Sequence, residues 1–280
     1  MRLRFRDYPA ADVAGGAGRP PIICLHGLTR NARDFSGLAE HLARGGWRVL
    51  VPDMRGRGAS DYARDSGTYT LAHYVADLNA LRITEGIDRY IAIGTSMGGL
   101  MTLAQAMTDP TPIAGAVLND IGPAVEPAGL AQIMEYVGQG GSYATWMHAA
   151  RALEELHAEA YPLFTLDDWL DMAKRGMTVV GNGRIAFDYD MKIAEPLRAF
   201  DGGSAAAPAD LWPGLDALAQ RPLLLVRGAL SNVLSERTLA EMQARAPNAR
   251  AVTIPGIGHA PTLDEPDTRG AIDAFLARIG

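Results

Sequence analysis

Short apolar runs, several of them stopped by glycine, alternate along this chain with amphipathic segments, and that alternation constrains the fold more than any other feature. PPIICLHG (20–27) and WRVLVPDM (47–54) are continuous apolar runs, the pattern of strands buried on both faces, and between them Phe35, Leu38, Ala39 and Leu42 recur at helical spacing. The unit repeats. A helix over 70–86 carries Leu71, Tyr74, Val75, Leu78 and Leu81 on one stripe, and a strand RYIAIGTS, a helix MGGLMTLAQAM and a strand IAGAVLND (113–120) follow. After a long interval come a strand over 221–229, a helix SERTLAEMQARA, a strand over 249–256 and a final helix from about Pro266 to Ile279. The predicted class is therefore α/β, with a mostly parallel, doubly wound sheet covered by helices on both faces.

At 280 residues the chain is long enough to bury a large core without staples. Its net charge of -6 offers no positive field for a phosphate backbone, so nucleic acid is not an expected partner. A lone cysteine, Cys24, can form neither an internal disulfide nor a zinc cluster; it lies in an apolar strand, where a thiol is inert. The uncharged run Tyr90–Thr108 has membrane-like length, but GTSMGG at its centre makes it a strand, a turn and a helix. The N-terminus lacks the apolar stretch of a signal peptide. A cytoplasmic protein that engages no membrane is expected.

The interval from Ile121 to Pro213 breaks the rhythm with helical patches and no convincing parallel strand, and it reads as a helical insertion. More than half of the aromatic residues fall in it. They could build a small core of their own or line the inner face of a lid over an apolar substrate, with Trp146, Tyr143 and Trp169 as candidate contacts. GGSAAAPAD (202–210) reads as the connection back to the sheet.

Gly94-Thr95-Ser96-Met97-Gly98 matches G-x-S-x-G between an apolar strand and an apolar helix. In that setting a sharp turn exposes the central hydroxyl. With His26-Gly27 after the first buried strand, Asp53-Met54-Arg55-Gly56-Arg57-Gly58-Ala59-Ser60 after the next, and Gly256-Ile257-Gly258-His259 after the last, the chain resembles the α/β-hydrolase superfamily over nearly its whole length. The likeness is to its cap-bearing branch of esterases, lactonases, C–C bond hydrolases, dehalogenases and epoxide hydrolases. That resemblance implies a core formed by 1–120 and 214–280 and a cap formed by 121–213. It implies Ser96 as nucleophile, His259 as base, and the backbone amides of Leu28 and Met97 as the oxyanion hole. His26, and Asp53 with Arg55 and Arg57, would brace the surrounding loops, although the arginines could alternatively bind a substrate carboxylate. His41, His73, His148 and His157 lie in helical patterns and suit surface or packing roles.

The acid is less direct. In the related pattern the loop Gly228-Ala229-Leu230-Ser231-Asn232 would end in Asp, and here it ends in Asn232. An amide cannot stabilise imidazolium as a carboxylate does. Either Asn232 is an engineered exchange, or Asp120 at the end of the strand before the insertion serves instead, or the enzyme is weakened; Asp120 could also be only a structural turn residue.

The expected function is hydrolysis of a carboxylic ester or lactone through an acyl-enzyme on Ser96, acting on a small apolar or aromatic ester, with no cofactor and no metal. Serine rather than Asp at the elbow argues against dehalogenase and epoxide-hydrolase chemistry. A C–C bond hydrolase or a cofactor-free oxygenase on the same scaffold stays open, as does a hydrolase-fold ligand receptor, the reading that Asn232 raises.

Overall fold

The computed structural model describes residues 1–16, 18–199 and 210–279. Its first part runs β1 (Arg4–Tyr8), β2 (Ile22–Leu25), α1 (Ser36–Arg44), β3 (Val49–Asp53), α2 (Leu71–Thr84), β4 (Tyr90–Thr95), α3 (Met97–Thr108) and β5 (Ile113–Asn119). The insertion then contributes α4 (Pro127–Tyr136), β6 (Ser142–Tyr143), α5 (Trp146–His157), α6 (Leu166–Gly176), β7 (Met177–Val179), β8 (Ile185–Phe187) and α7 (Ala194–Ala199). The chain ends with α8 (Trp212–Leu218), β9 (Leu223–Gly228), α9 (Glu236–Arg245), β10 (Arg250–Ile254) and α10 (Pro266–Leu276).

Seven strands form one sheet in the order β1-β3-β2-β4-β5-β9-β10. All neighbours are parallel except β1, which pairs antiparallel with β3 at the edge. Every residue of β2, β3, β5 and β9 is buried, as continuous apolar runs require. Successive side chains alternate between faces: Ile23, Leu25, Leu118 and Leu225 join one hydrophobic cluster, while Ile22, Cys24, Val117 and Val226 join the other. β1 has no counterpart among the strands expected from sequence. Its strand RFRDY is mostly exposed, so it lacks the apolar run that marked the others. No helix among the described residues is long and apolar enough to cross a membrane.

The insertion is not purely helical. It holds a three-stranded antiparallel sheet, β6-β8-β7, whose strands are two or three residues long and too short to leave a periodic signature. Nor does it keep a core to itself. Val137, Tyr189 and Ile193 belong to the cluster on one face of the main sheet, and Leu153, Trp169 and Met172 to the cluster on the other. Polar ties reinforce that continuity: Arg33 reaches Asp188 at 2.7 Å and donates to the carbonyls of Arg175 and Met177. Of the connection GGSAAAPAD, residues 202–209 lie outside the described residues.

Two loops at the C-terminal edge of the sheet are fixed by buried polar groups. Asp53 accepts from the amides of Ala32 (2.7 Å) and Ala59 (3.0 Å), while Arg57 donates to the carbonyls of Leu28 (2.9 Å) and Arg55 (2.7 Å). Arg55 instead forms a bidentate pair with Asp77, both contacts at 2.7 Å. His26 is fully buried between the two loops; its Nε2 accepts from the Met54 amide at 3.0 Å and its Nδ1 lies 2.8 Å from the Gly27 carbonyl. That pairing requires a neutral ring protonated on Nδ1. Burial above all, together with the nearby Arg57, holds the His26 pKa down at about 4.

An unfolded chain binds the His26 proton near pH 6.5, and the folded one only near 4, so stability is complete above pH 6.5 and falls as pH drops between those values. The full shift corresponds to about 3 kcal/mol. Urea unfolding at pH 7.5 and pH 5 should show the loss, and His26→Gln, though less stable at pH 7.5, should show a smaller difference between the two. An unchanged difference would mean that other groups carry the acid sensitivity.

Candidate active site

Ser96 sits between β4 and α3 at φ 51° and ψ -115°, a conformation rare for a side-chain-bearing residue. Such strain persists only where the surroundings enforce it. The Ser96 amide donates to the Asn119 carbonyl at 3.1 Å, and α3 packs so closely under the turn that a Cβ at Gly98 would run into the carbonyl of Leu25. The glycines of the motif are thus required by close approach, and the serine is pushed out of the sheet edge.

His259, on the loop after β10, places its Nε2 2.9 Å from Ser96 Oγ and its Nδ1 2.8 Å from Asp120 Oδ2. Asp120 follows β5 directly, at φ 55°, with its side chain wholly buried. Its Oδ1 accepts the Gly228 amide at 2.8 Å, and its Oδ2 also accepts the Ser231 hydroxyl at 2.6 Å. The loop after β9 therefore supplies donors to the carboxylate rather than the carboxylate itself. Asn232, the other position considered for the acid, is corrected by this geometry: its amide is exposed and donates to Gln132 on α4. Among the described residues its side chain makes no hydrogen bond to His259.

Two residues here escaped the sequence reading. Ser231 has a hydroxyl that bonds Asp120 and accepts from the amides of Val233 (3.2 Å) and Leu234 (3.1 Å). Asn119 joins the elbow to the histidine loop, donating to Thr95 Oγ1 at 3.0 Å and to the Pro261 carbonyl at 2.8 Å. No single-sequence signal marks either residue; each acts across strands that only the fold brings together.

The backbone amides of Leu28 and Met97 have no acceptor among the described residues. Met97 opens α3, where the first amides have no helical partner, and Leu28 is held in place from its carbonyl side by Arg57.

Ser96 and His259 open into a cavity of about 640 Å3, a size suited to a small organic ligand. Trp146, Tyr143 and Trp169, expected to face the substrate, do not border it. Trp169 is 2% exposed and packs edge-on against Tyr161 and Phe164, serving the core that the insertion shares with the sheet. The insertion's rings at the cavity are instead Tyr136, Tyr161, Phe164, Phe187 and Tyr189. Core-facing and cavity-facing aromatics look alike in sequence, since both are large apolar residues at helical or strand spacing.

Arg30 and His157 also border the cavity. Arg30 pairs with Asp34 through Nε (2.6 Å) and Nη2 (2.7 Å). His157, expected to pack or lie on the surface, stacks edge-on against Tyr136 at 5.2 Å between centroids. Burial first, then the Arg30 charge, lowers its pKa to about 4, so the ring is neutral near pH 7. Burial pushes the Tyr136 phenol up to about 12, which keeps it a hydroxyl.

Residues 20–266 match the family model described as alpha/beta hydrolase fold. Over 249 residues the chain is 34% identical to the 3-hydroxybutyrate-oligomer hydrolase of Cupriavidus necator, covering 88% of this chain and 84% of that protein. It is 26% identical to the 2-(acetamidomethylene)succinate hydrolase of Mesorhizobium japonicum over 93% of this chain and 89% of that one. The crystal structure of an alpha/beta hydrolase from Novosphingobium aromaticivorans superposes with a TM-score of 0.92 at 54% identity, over 99% of this chain and 94% of that one. The parallel sheet with its Ser96 elbow, the family match across most of the length and these relatives lead to one conclusion: the chain belongs to the α/β-hydrolase family.

Proposed function

We propose that this protein is a serine hydrolase that cleaves a carboxylic ester through an acyl-enzyme on Ser96. The observation that carries the reading is the unbroken relay from Ser96 Oγ through His259 to the buried Asp120 carboxylate. With its Nδ1 proton donated to Asp120, the ring has a lone pair on Nε2 to take the serine proton as Oγ attacks the carbonyl. The oxyanion settles between the free amides of Leu28 and Met97. His259 then returns the proton to the departing alkoxide, and a water activated by the same ring releases the acid. Asp120, one of the two positions weighed for the acid, favours the charged ring in both steps.

The insertion acts as a cap in this scheme, since its Tyr136, Phe164, Phe187 and Leu156 wall the space above the nucleophile. A short ester of a hydroxy acid is the favoured substrate class. The relative from Cupriavidus necator, named for hydrolysis of 3-hydroxybutyrate oligomers, supports it. The receptor alternative drew on Asn232, and that support falls away once His259 has a carboxylate partner.

A fluorophosphonate probe should label the parent at Ser96 and leave Ser96→Ala unlabelled, with kcat for a short 4-nitrophenyl ester falling by about 10^6. Labelling that persists in Ser96→Ala, or is absent from the parent, would overturn the nucleophile assignment.

The acid is tested separately. Asp120→Asn should lower kcat by about 10^3 to 10^4, because the imidazolium loses its anionic partner. Asn232→Asp, on an exposed side chain, should change kcat by less than about threefold. The reverse pattern would move the acid back to the loop after β9.

A further inference from the structure

The cavity beside Ser96 is mostly apolar, yet three polar groups at its wall are left without a partner among the described residues: Arg30 Nη1, the His157 imidazole and the Tyr136 hydroxyl. None is among the sealed unsatisfied atoms of the described residues, so each retains an approach from the cavity or solvent. Arg30 spends Nε and Nη2 on Asp34, which fixes the guanidinium plane; Nη1 lies over Gly176 of α6, 3.0 Å from where a Cβ would stand there, and has no acceptor among the described residues. Its stem starts beside the nucleophile: a Cβ built on Gly27 would lie 3.5 Å from Arg30 Cγ and 3.8 Å from Ser96 Cβ. His157 faces Tyr136 edge-on, and the Arg30 charge reaches it.

We infer that Arg30, His157 and Tyr136 form a subsite for a carboxylate on the substrate, next to the ester that Ser96 attacks. This rests on the ester-hydrolase reading and narrows it to short esters that also carry a free acid. With the Arg30 charge shared with Asp34, the guanidinium, a neutral imidazole and a phenol supply N–H and O–H donors to an oxyanion. Of the carboxylates that border the cavity, Asp34 and Asp264 are held in close ion pairs. Asp34 pairs with Arg30; Asp264 pairs with Arg175 (2.7 Å) and Arg269 (2.8 Å). Glu265 accepts the amides of Thr262 (2.7 Å) and Leu263 (3.0 Å), Asp168 accepts from Thr165, and Asp171 lies 4.0 Å from Lys174. Tyr161, by contrast, has its hydroxyl committed to Ala260 and contributes only its ring. An uncharged ester would leave the three donors unpaired once it displaced water, and that cost is the source of selectivity.

The test compares 4-nitrophenyl hydrogen glutarate with its uncharged counterpart, the mixed 4-nitrophenyl methyl diester of glutaric acid. In the parent, kcat/KM for the acid should exceed that for the diester by about tenfold or more. Arg30→Met is made together with Asp34→Asn, so that no unpaired carboxylate is left in the cavity, and the ratio should fall to about one or two. His157→Phe and Tyr136→Phe, which keep the Arg30 pair, should each lower the ratio by a smaller factor; thermal melts confirm that each variant is folded. A separate binding measurement by calorimetry, with monomethyl and dimethyl glutarate on Ser96→Ala, reads the subsite without chemistry. Equal binding and turnover of charged and neutral compounds, or a preference that survives in the double variant, overturns the subsite. A binding preference with no turnover of either ester by the parent would instead overturn the ester-hydrolase reading while leaving the subsite in place.

Discussion

A single buried carboxylate organises the end of this molecule where the chemistry is expected. Asp120 is closed off from water, and a charge in that position is tolerable only when donors surround it. Three elements supply them: Gly228 at the end of β9, Ser231 in the loop that follows, and His259 after β10. The Asp120 amide in turn donates to the Val226 carbonyl at 2.8 Å, and the neighbouring Asn119 carbonyl receives the amide of Ser96. Segments far apart in sequence are thus registered against one another around one side chain. Removing a donor does not just subtract a hydrogen bond; it leaves part of a buried charge unpaired.

The parallel sheet explains why this is possible. Strands that run the same way deliver all their following loops to one edge, so β2, β4, β5, β9 and β10 each end near the cavity. The helices on either face hold the strands fixed while the loops differ. Ser96 and Asp120 follow strands directly, and Leu28, Ser231 and His259 lie on the short loops just beyond strand ends, which keeps them close to anchored backbone.

Much of this was readable beforehand. Buried parallel strands announce themselves as apolar runs, and the glycines around Ser96 mark a turn that ordinary residues cannot make, so the sheet and the elbow are legible in the chain itself, while His259 is reached through the family resemblance. Sequence does not decide between Asp120 and Asn232 as the partner of His259, because adjacency along the chain says nothing about which loop a side chain turns toward. The edge strand β1 and the two- and three-residue strands β6 to β8 were missed because short or exposed strands carry no apolar run. The three aromatic candidates failed for a different reason. Packing and ligand contact demand the same residue types, and only the structure separates Trp169, closed in by Tyr161 and Phe164, from Tyr136 at the cavity wall.

The continuity between the insertion and the two faces of the sheet bears on how a substrate can arrive. A cover resting on a separate core could swing outward as a body at little cost. Here such a swing would carry Val137, Tyr189 and Leu153 out of clusters they share with the strands, at about 1.5–3 kcal/mol for each large side chain brought into water. The ion pair of Arg33 with Asp188 would break as well. Small rearrangements at the rim, where Leu130 and Leu156 are already exposed while bordering the cavity, open a path at lower cost. Ligand size, more than the frequency of any hinge motion, then limits which molecules reach Ser96.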